Sequence, residues 1–273
     1  MPVLQHRLIA IAAALLLALG VSFVAPTAEA GREPTISILL LGNSLVRGVK
    51  GPLKKMLVER GEVVQMKAHG PGIWDLRKHA ESPRTEKIIT ARPWDVVMLQ
   101  EKSTGLSEDQ GGYAAVRILE DIITENGSET CMFMTWRERD FDPATPGGDF
   151  MWQLLHGQPG DEVGYVPIAF ELDVPVVPVG WGIRQARLLN PSVELYKGGK
   201  GRHLGDLGRY LGASVAYAAV TGDSPLGAWA PNRIDPATAQ FLQLVAEQIV
   251  LGNPGEWNLG SSGGFGGSTN DSD

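Results

Sequence analysis

The chain is almost without cysteine. Cys131 is the only one in 273 residues, which excludes an intramolecular disulfide framework and any zinc cluster built on cysteine. Positive charge is also scarce: 24 lysines and arginines face 31 acids, for a net charge of −7. Such a surface repels a phosphate backbone, so no nucleic-acid partner is expected. No Gly-x-x-x-x-Gly-Lys loop is present to cradle nucleotide phosphates. His69, His79, His156 and His203 are scattered without ligand spacing, so neither a metal nor a cofactor is expected. Repeats and interdomain linkers are missing too. What remains is 43% hydrophobic, enough for a core, and one domain is the economical reading.

A long hydrophobic run occurs only at the start. Arg7 precedes apolar and small residues from Leu8 to Ala25, and Ala28-Glu29-Ala30 comes next as a small-x-small cleavage site. This is the layout of a secretory signal peptide over residues 1–30, placing the protein outside the cytoplasm as a secreted or periplasmic one. The alternative is an uncleaved anchor, for which the run is short. After cleavage no membrane association is expected. The stretch from Gly260-Ser261-Ser262-Gly263-Gly264 to Asp273 reads as flexible. The chain thus divides into a signal peptide, a domain over 31–255 and a tail over 256–273.

Within the domain, Ile36–Leu41 is a continuous apolar run of buried-strand length, with a helix after it over about Val49 to Arg60. Val63–Met66, Trp94–Leu99, Cys131–Met134 and Val174–Val179 read as further strands. Helices are expected around Val116–Ile123, Leu207–Val220 and Pro236–Leu251. Strands apolar throughout and separated by helices predict an α/β fold, a three-layer sandwich around a five-stranded parallel sheet. Ligands of such folds sit beyond the carboxyl ends of the strands.

Those ends carry Gly42-Asn43-Ser44-Leu45, His69-Gly70-Pro71-Gly72, Gln100-Glu101 and Thr135-Trp136-Arg137, while Gly201-Arg202-His203-Leu204 opens a late helix. A hydroxyl is inert until a neighbouring imidazole takes its proton, so Ser44 and His203 are the pair to test for nucleophilic catalysis. Glycines let backbone N–H groups approach an oxyanion, and the Gln100 amide adds a candidate donor. Singly, each has a plainer use: an Asx turn, a polar sheet end, a surface histidine.

In order and position these segments resemble the SGNH (GDSL-type) hydrolases. Leu40–Leu45 is similar to the first block, with Asn43 where aspartate is commoner and Ser44 at the nucleophile. His69–Gly72 resembles the second block and Trp94–Glu101 the third, in the branch where Leu-Gln-Glu replaces Gly-x-Asn. Pro178-Val179-Gly180, Leu195-Tyr196, His203 and Gly208–Ala213 resemble the last block and its helix. The resemblance implies a flavodoxin-like fold, Ser44 and His203 as catalytic pair, and an oxyanion hole from Ser44, Gly72 (or Gly70) and Gln100.

One departure stands out. The family's last block is Asp-x-x-His, and Lys200 occupies the aspartate's place. Asp206 or Glu101 could substitute, a Ser–His dyad could be steadied by a backbone carbonyl, or the site could be a binding relic. Lys197, Lys200, Arg202 and Arg209 form a basic cluster that is either a solvated loop or an attractor of anionic substrate. The Gly- and Pro-rich segment 137–164 reads as a lid or substrate wall. Trp136 and Trp152 are either core or sugar-stacking residues. The expected activity is a serine esterase acting on a small ester or an acylated carbohydrate. The alternatives are a catalytically impaired carbohydrate-binding protein and a polysaccharide acyltransferase.

Overall fold

A computed structural model describes residues 34–198 and 201–260. The expected signal peptide, Lys200 and the tail beyond 260 lie outside the described residues.

Five strands, β1 (Ile36–Leu41), β2 (Val64–His69), β3 (Val96–Leu99), β4 (Glu129–Phe133) and β5 (Val176–Val177), form one parallel sheet in the order β2-β1-β3-β4-β5. That is the flavodoxin-like order, whose switch point lies between β1 and β3. Nine α-helices occur among the described residues: α1 (Arg47–Glu59), α2 (Leu76–Ala80), α3 (Pro83–Ile89), α4 (Gly112–Glu125), α5 (Pro146–His156), α6 (Val166–Glu171), α7 (Val179–Leu189), α8 (Asp206–Thr221) and α9 (Pro236–Val250). Helix α8 packs against α1, α7 and α9 as one layer, and α4 packs on α2 and α3 in the other. The predicted three-layer sandwich is the fold. Ile38–Leu41 and Val96–Leu99 are buried throughout because helices cover both faces of the sheet.

Register sets the height of the site. Leu41 pairs with His69 on one side and Leu99 on the other, so Gly42, Gly70 and Gln100 emerge side by side. A Cβ on Gly42 would lie 2.4 Å from Gln100 Oε1, and one on Gly70 would lie 2.4 Å from the Asn43 carbonyl oxygen. These two glycines are required by the close approach of three chain segments.

Three expectations are corrected. The fifth strand is two residues long, because the run after Pro178 turns into α7 instead of extending. Segment 137–164 is no open lid. It contains α5, capped by Thr145 and started by Pro146, and a Cβ on Gly148 would meet the Asp142 carbonyl oxygen at 1.9 Å. Gly148, Gly157 and Gly164 serve tight packing, while Gly147 and Gly160 face open space. The ordered domain also runs past Gly255: Trp257 is fully buried, bonds the Ile249 carbonyl and packs edge-on against His156.

Candidate active site

The turn after β1 is held from below. The Asn43 side chain accepts from the Leu45 N–H at 3.0 Å and donates to the Trp74 carbonyl at 3.2 Å. An amide can do both, whereas an ionised aspartate could only accept. His79, buried, donates from Nε2 to the Gly42 carbonyl at 2.7 Å and accepts at Nδ1 from the Thr85 hydroxyl at 3.1 Å. Burial pushes its pKa down, against the pull of the Gly42 bond, so it stays neutral. His79 is a brace for the turn.

Above that brace Ser44 Oγ lies 3.2 Å from His203 Nε2. His203 stands on a loop pinned on both sides: Tyr196 and Leu204 form an antiparallel bridge, the Lys197 N–H donates to the His203 carbonyl at 2.8 Å, and the Gly205 N–H donates to the Leu195 carbonyl at 2.9 Å. Trp136 Nε1 donates to the Arg202 carbonyl at 3.0 Å from beneath. The contact can run from the serine hydroxyl to Nε2 only in the tautomer with the proton on Nδ1. The two residues line a cavity of about 280 Å³ with Leu45, Arg47, Gly48, Trp136, Leu204 and Arg209.

The proposed acids are elsewhere. Asp206 accepts from Arg233 Nε at 2.6 Å, an ion pair that holds its pKa below the usual range. Glu101 is buried beneath the rim, where Oε2 accepts from the Leu76 N–H at 2.9 Å and Oε1 from the Lys102 N–H at 2.8 Å. Burial raises its pKa against those bonds. Neither reaches His203, and among the described residues no carboxylate lies within 4.0 Å of that ring. Among the described residues Ser44 and His203 therefore form a pair with no third, acidic member.

The expected oxyanion hole is also rearranged. Gln100 is fully buried; its Oε1 accepts from the Asn43 N–H at 3.1 Å and its Nε2 donates to the Glu101 carbonyl. It fastens β3 to the turn and presents nothing to the cavity. The Ser44 N–H donates to the Gly72 carbonyl at 3.2 Å, so that donor is occupied. Gly72 itself sits at φ 47° with open space where a Cβ would stand. Trp152 is fully buried, bonds the Phe141 carbonyl at 2.9 Å and is core, whereas Trp136, 1% exposed, borders the cavity.

Arg47 was not singled out from sequence. A signal was there: a basic residue three positions after the candidate nucleophile, in the first helical turn, runs against the helix dipole.

The fold is shared with a DUF4886 family protein from Bacteroides uniformis, at 20% identity and a TM-score of 0.63, over 79% of this chain and 95% of that one. TesA matches with 10% identity and a TM-score of 0.47 over 66% of this chain and 96% of that one. The salicylyl-acyltransferase SsfX3 from a tetracycline biosynthetic pathway matches with 14% identity and a TM-score of 0.40 over 69% and 54%. No protein-family model and no curated protein matches the chain.

Proposed function

We propose that this protein is an exported serine esterase of SGNH type that removes short acyl groups, acetyl among them, from a carbohydrate or another small ester. The observation that carries the reading is the 3.2 Å contact of Ser44 Oγ with His203 Nε2 in an open cavity at the β1/β3 switch point. The order of the motifs from Leu40 to Ala213 supports it, and export rests on the composition of residues 1–30.

In this reading His203 Nε2 takes the Ser44 proton as Oγ bonds the acyl carbon, then gives it to the departing alcohol oxygen. Water, deprotonated by the same nitrogen, then attacks acyl-Ser44, and that proton passes to Ser44 Oγ as its bond to the acyl carbon breaks and the acid leaves. The oxyanion needs a donor. Substrate entry would free the Ser44 N–H from the Gly72 carbonyl, with the left-handed Gly72 as the pivot. His203 would be steadied by its loop in place of an aspartate.

A second reading, a binding protein on the same fold, is favoured by the missing carboxylate and the occupied Ser44 N–H. A fluorophosphonate probe separates the two. Labelling of the wild type that disappears in Ser44→Ala is the expected result, because only an activated serine reacts. No labelling in a folded wild type would leave the binding reading. Product analysis with a sugar acceptor present then tells hydrolysis from acyl transfer.

A further inference from the structure

Two arginines stand in the same cavity as Ser44 and His203. Arg47 opens α1, and Arg209 lies in the first turn of α8. Both occupy the positive end of a helix dipole, where a cation is disfavoured. Neither helix has a side-chain cap at its start, and α1 has no acid in its first turn. Arg209 is laid across Gly48: a Cβ there would come within 3.1 Å of its Nε, so this glycine leaves room for the guanidinium stem beside the serine turn.

Arg47 has no acidic partner among the described residues, and Arg209 has only a distant, shared one. Arg47 donates to the Gly70 carbonyl, and no described carboxylate lies within 4.0 Å of it. Asp206 is shared: its Oδ1 lies 3.9 Å from Arg209 Nη1 while its Oδ2 accepts from Arg233 Nε at 2.6 Å. Arg202, by contrast, is paired with Glu138 at 3.2 Å and does not line the cavity. Of Lys197, Arg202 and Arg209, the described basic residues near His203 in sequence, Arg209 alone lines the pocket, and it is joined there by Arg47.

We propose that the ester this protein acts on carries an oxyanion, a carboxylate or sulfate in particular, held by Arg47 and Arg209 next to the reacting serine. The inference rests on the esterase reading of Ser44 and specifies its substrate class. Guanidinium groups are suited to such planar or tetrahedral oxyanions through paired N–H donors. In a protein with a net charge of −7, a local positive pocket selects an anion that the remaining surface would repel.

The test pairs binding with turnover, using the full chain. Binding is read by calorimetric titration with 4-acetamidobenzoate and 4-acetamidobenzenesulfonate against the neutral 4-acetamidobenzamide, none of which contains an ester. The wild type should bind at least one anion about tenfold or more tightly than the neutral probe. That preference should collapse in Arg47→Gln and Arg209→Gln, survive in part in Arg209→Lys, and weaken with added salt. Which anion binds tells carboxylate from sulfate-type substrates. Equal binding of charged and neutral probes, or a preference unchanged in both arginine variants, would overturn the proposal. Turnover is read with 4-acetoxybenzoate against 4-acetoxybenzamide, where kcat/KM should show the same preference. Selective anion binding without Ser44-dependent hydrolysis would sink the esterase reading while leaving the anion site, so the two failures are distinguishable. Circular dichroism on each variant keeps a folding defect from passing as a loss of affinity.

Discussion

Each end of β1 has a serine beside a cavity, Ser37 within the strand and Ser44 in the turn after it, and they differ in what that serine touches. At the amino end Ser37 Oγ donates to Asp95 Oδ2 at 2.7 Å and accepts from the Asp95 N–H at 3.0 Å, next to a cavity of about 520 Å³. At the carboxyl end Ser44 meets an imidazole in a cavity of about 280 Å³. No histidine lines the larger cavity among the described residues. Its serine is fully engaged in joining β1 to the start of β3. Cavity size therefore does not mark the site; the partner of the hydroxyl does.

Alanine at the two serines breaks the comparison most sharply. Ser44→Ala should lower turnover of a short-chain aryl ester by about a thousandfold or more, with the thermal midpoint held within a few degrees. Ser37→Ala should leave turnover unchanged and cost about 1–2 kcal/mol of stability, since it strips Asp95 of a buried partner. Steady-state kinetics and urea unfolding on both variants decide the matter. Loss of turnover in Ser37→Ala, or its survival in Ser44→Ala, would reverse the assignment.

A pair of histidine variants sharpens the same contrast within the carboxyl end. His203→Ala should reduce turnover by roughly a hundred- to ten-thousandfold as the base is lost. His79→Ala should show mainly in unfolding, at about 2–3 kcal/mol, because it orphans the Gly42 carbonyl and leaves a void. Equal catalytic losses in two folded variants would put His79 in the mechanism.

Gln100 decides between a brace and a donor. As the structure has it, Gln100→Ala leaves the Asn43 N–H and the Glu101 carbonyl without partners, which costs about 2–3 kcal/mol. As an oxyanion donor it would instead lower kcat by about a hundred- to a thousandfold in a protein of undiminished stability. The expected result is the first.

How far sequence reaches is visible in these residues. Ile36–Leu41 was legible because a run apolar on both faces has few other uses, and Ser44 and His203 because their positions relative to strands and helices are local properties. The direction of the Gln100 side chain was not. It is set by the Asn43 N–H, 57 positions away in the chain, at a distance of 3.1 Å. The same holds for Asp206, one helical turn from His203 but drawn off by Arg233. Val174–Val179 misled because a short apolar run serves a strand or a buried helix start equally well. Glycines in 137–164 misled because close packing and flexibility call for the same residue.

The smallest expected effect concerns acid sensitivity, which the comparison places at the carboxyl end. Burial, reinforced by His79, Arg84, Lys67 and Arg47, pushes the His69 pKa from 6.5 down to about 4. Its Nε2 is buried without a hydrogen-bond partner. The folded state therefore refuses a proton that the unfolded chain takes up below 6.5. Stability is full above that pH, falls as pH drops from 6.5 towards 4, and levels off below. His79, also shifted down by burial, acts in the same sense, while Glu101, shifted up by burial, opposes it. Asp75 enters later: despite its burial, the Lys102 and Lys78 bonds hold it at about 2, so its contribution is lost only below about 3.8. Unfolding at pH 7 and pH 4.5 isolates the window. The His69 share is of order 1–3 kcal/mol, and it is read as the part of the wild-type loss that vanishes in His69→Gln. Ser37→Ala, at the other end of the sheet, should keep the full wild-type slope. An unchanged slope in His69→Gln, or a flattened one in Ser37→Ala, would move the acid-sensitive element away from the rim that holds Ser44.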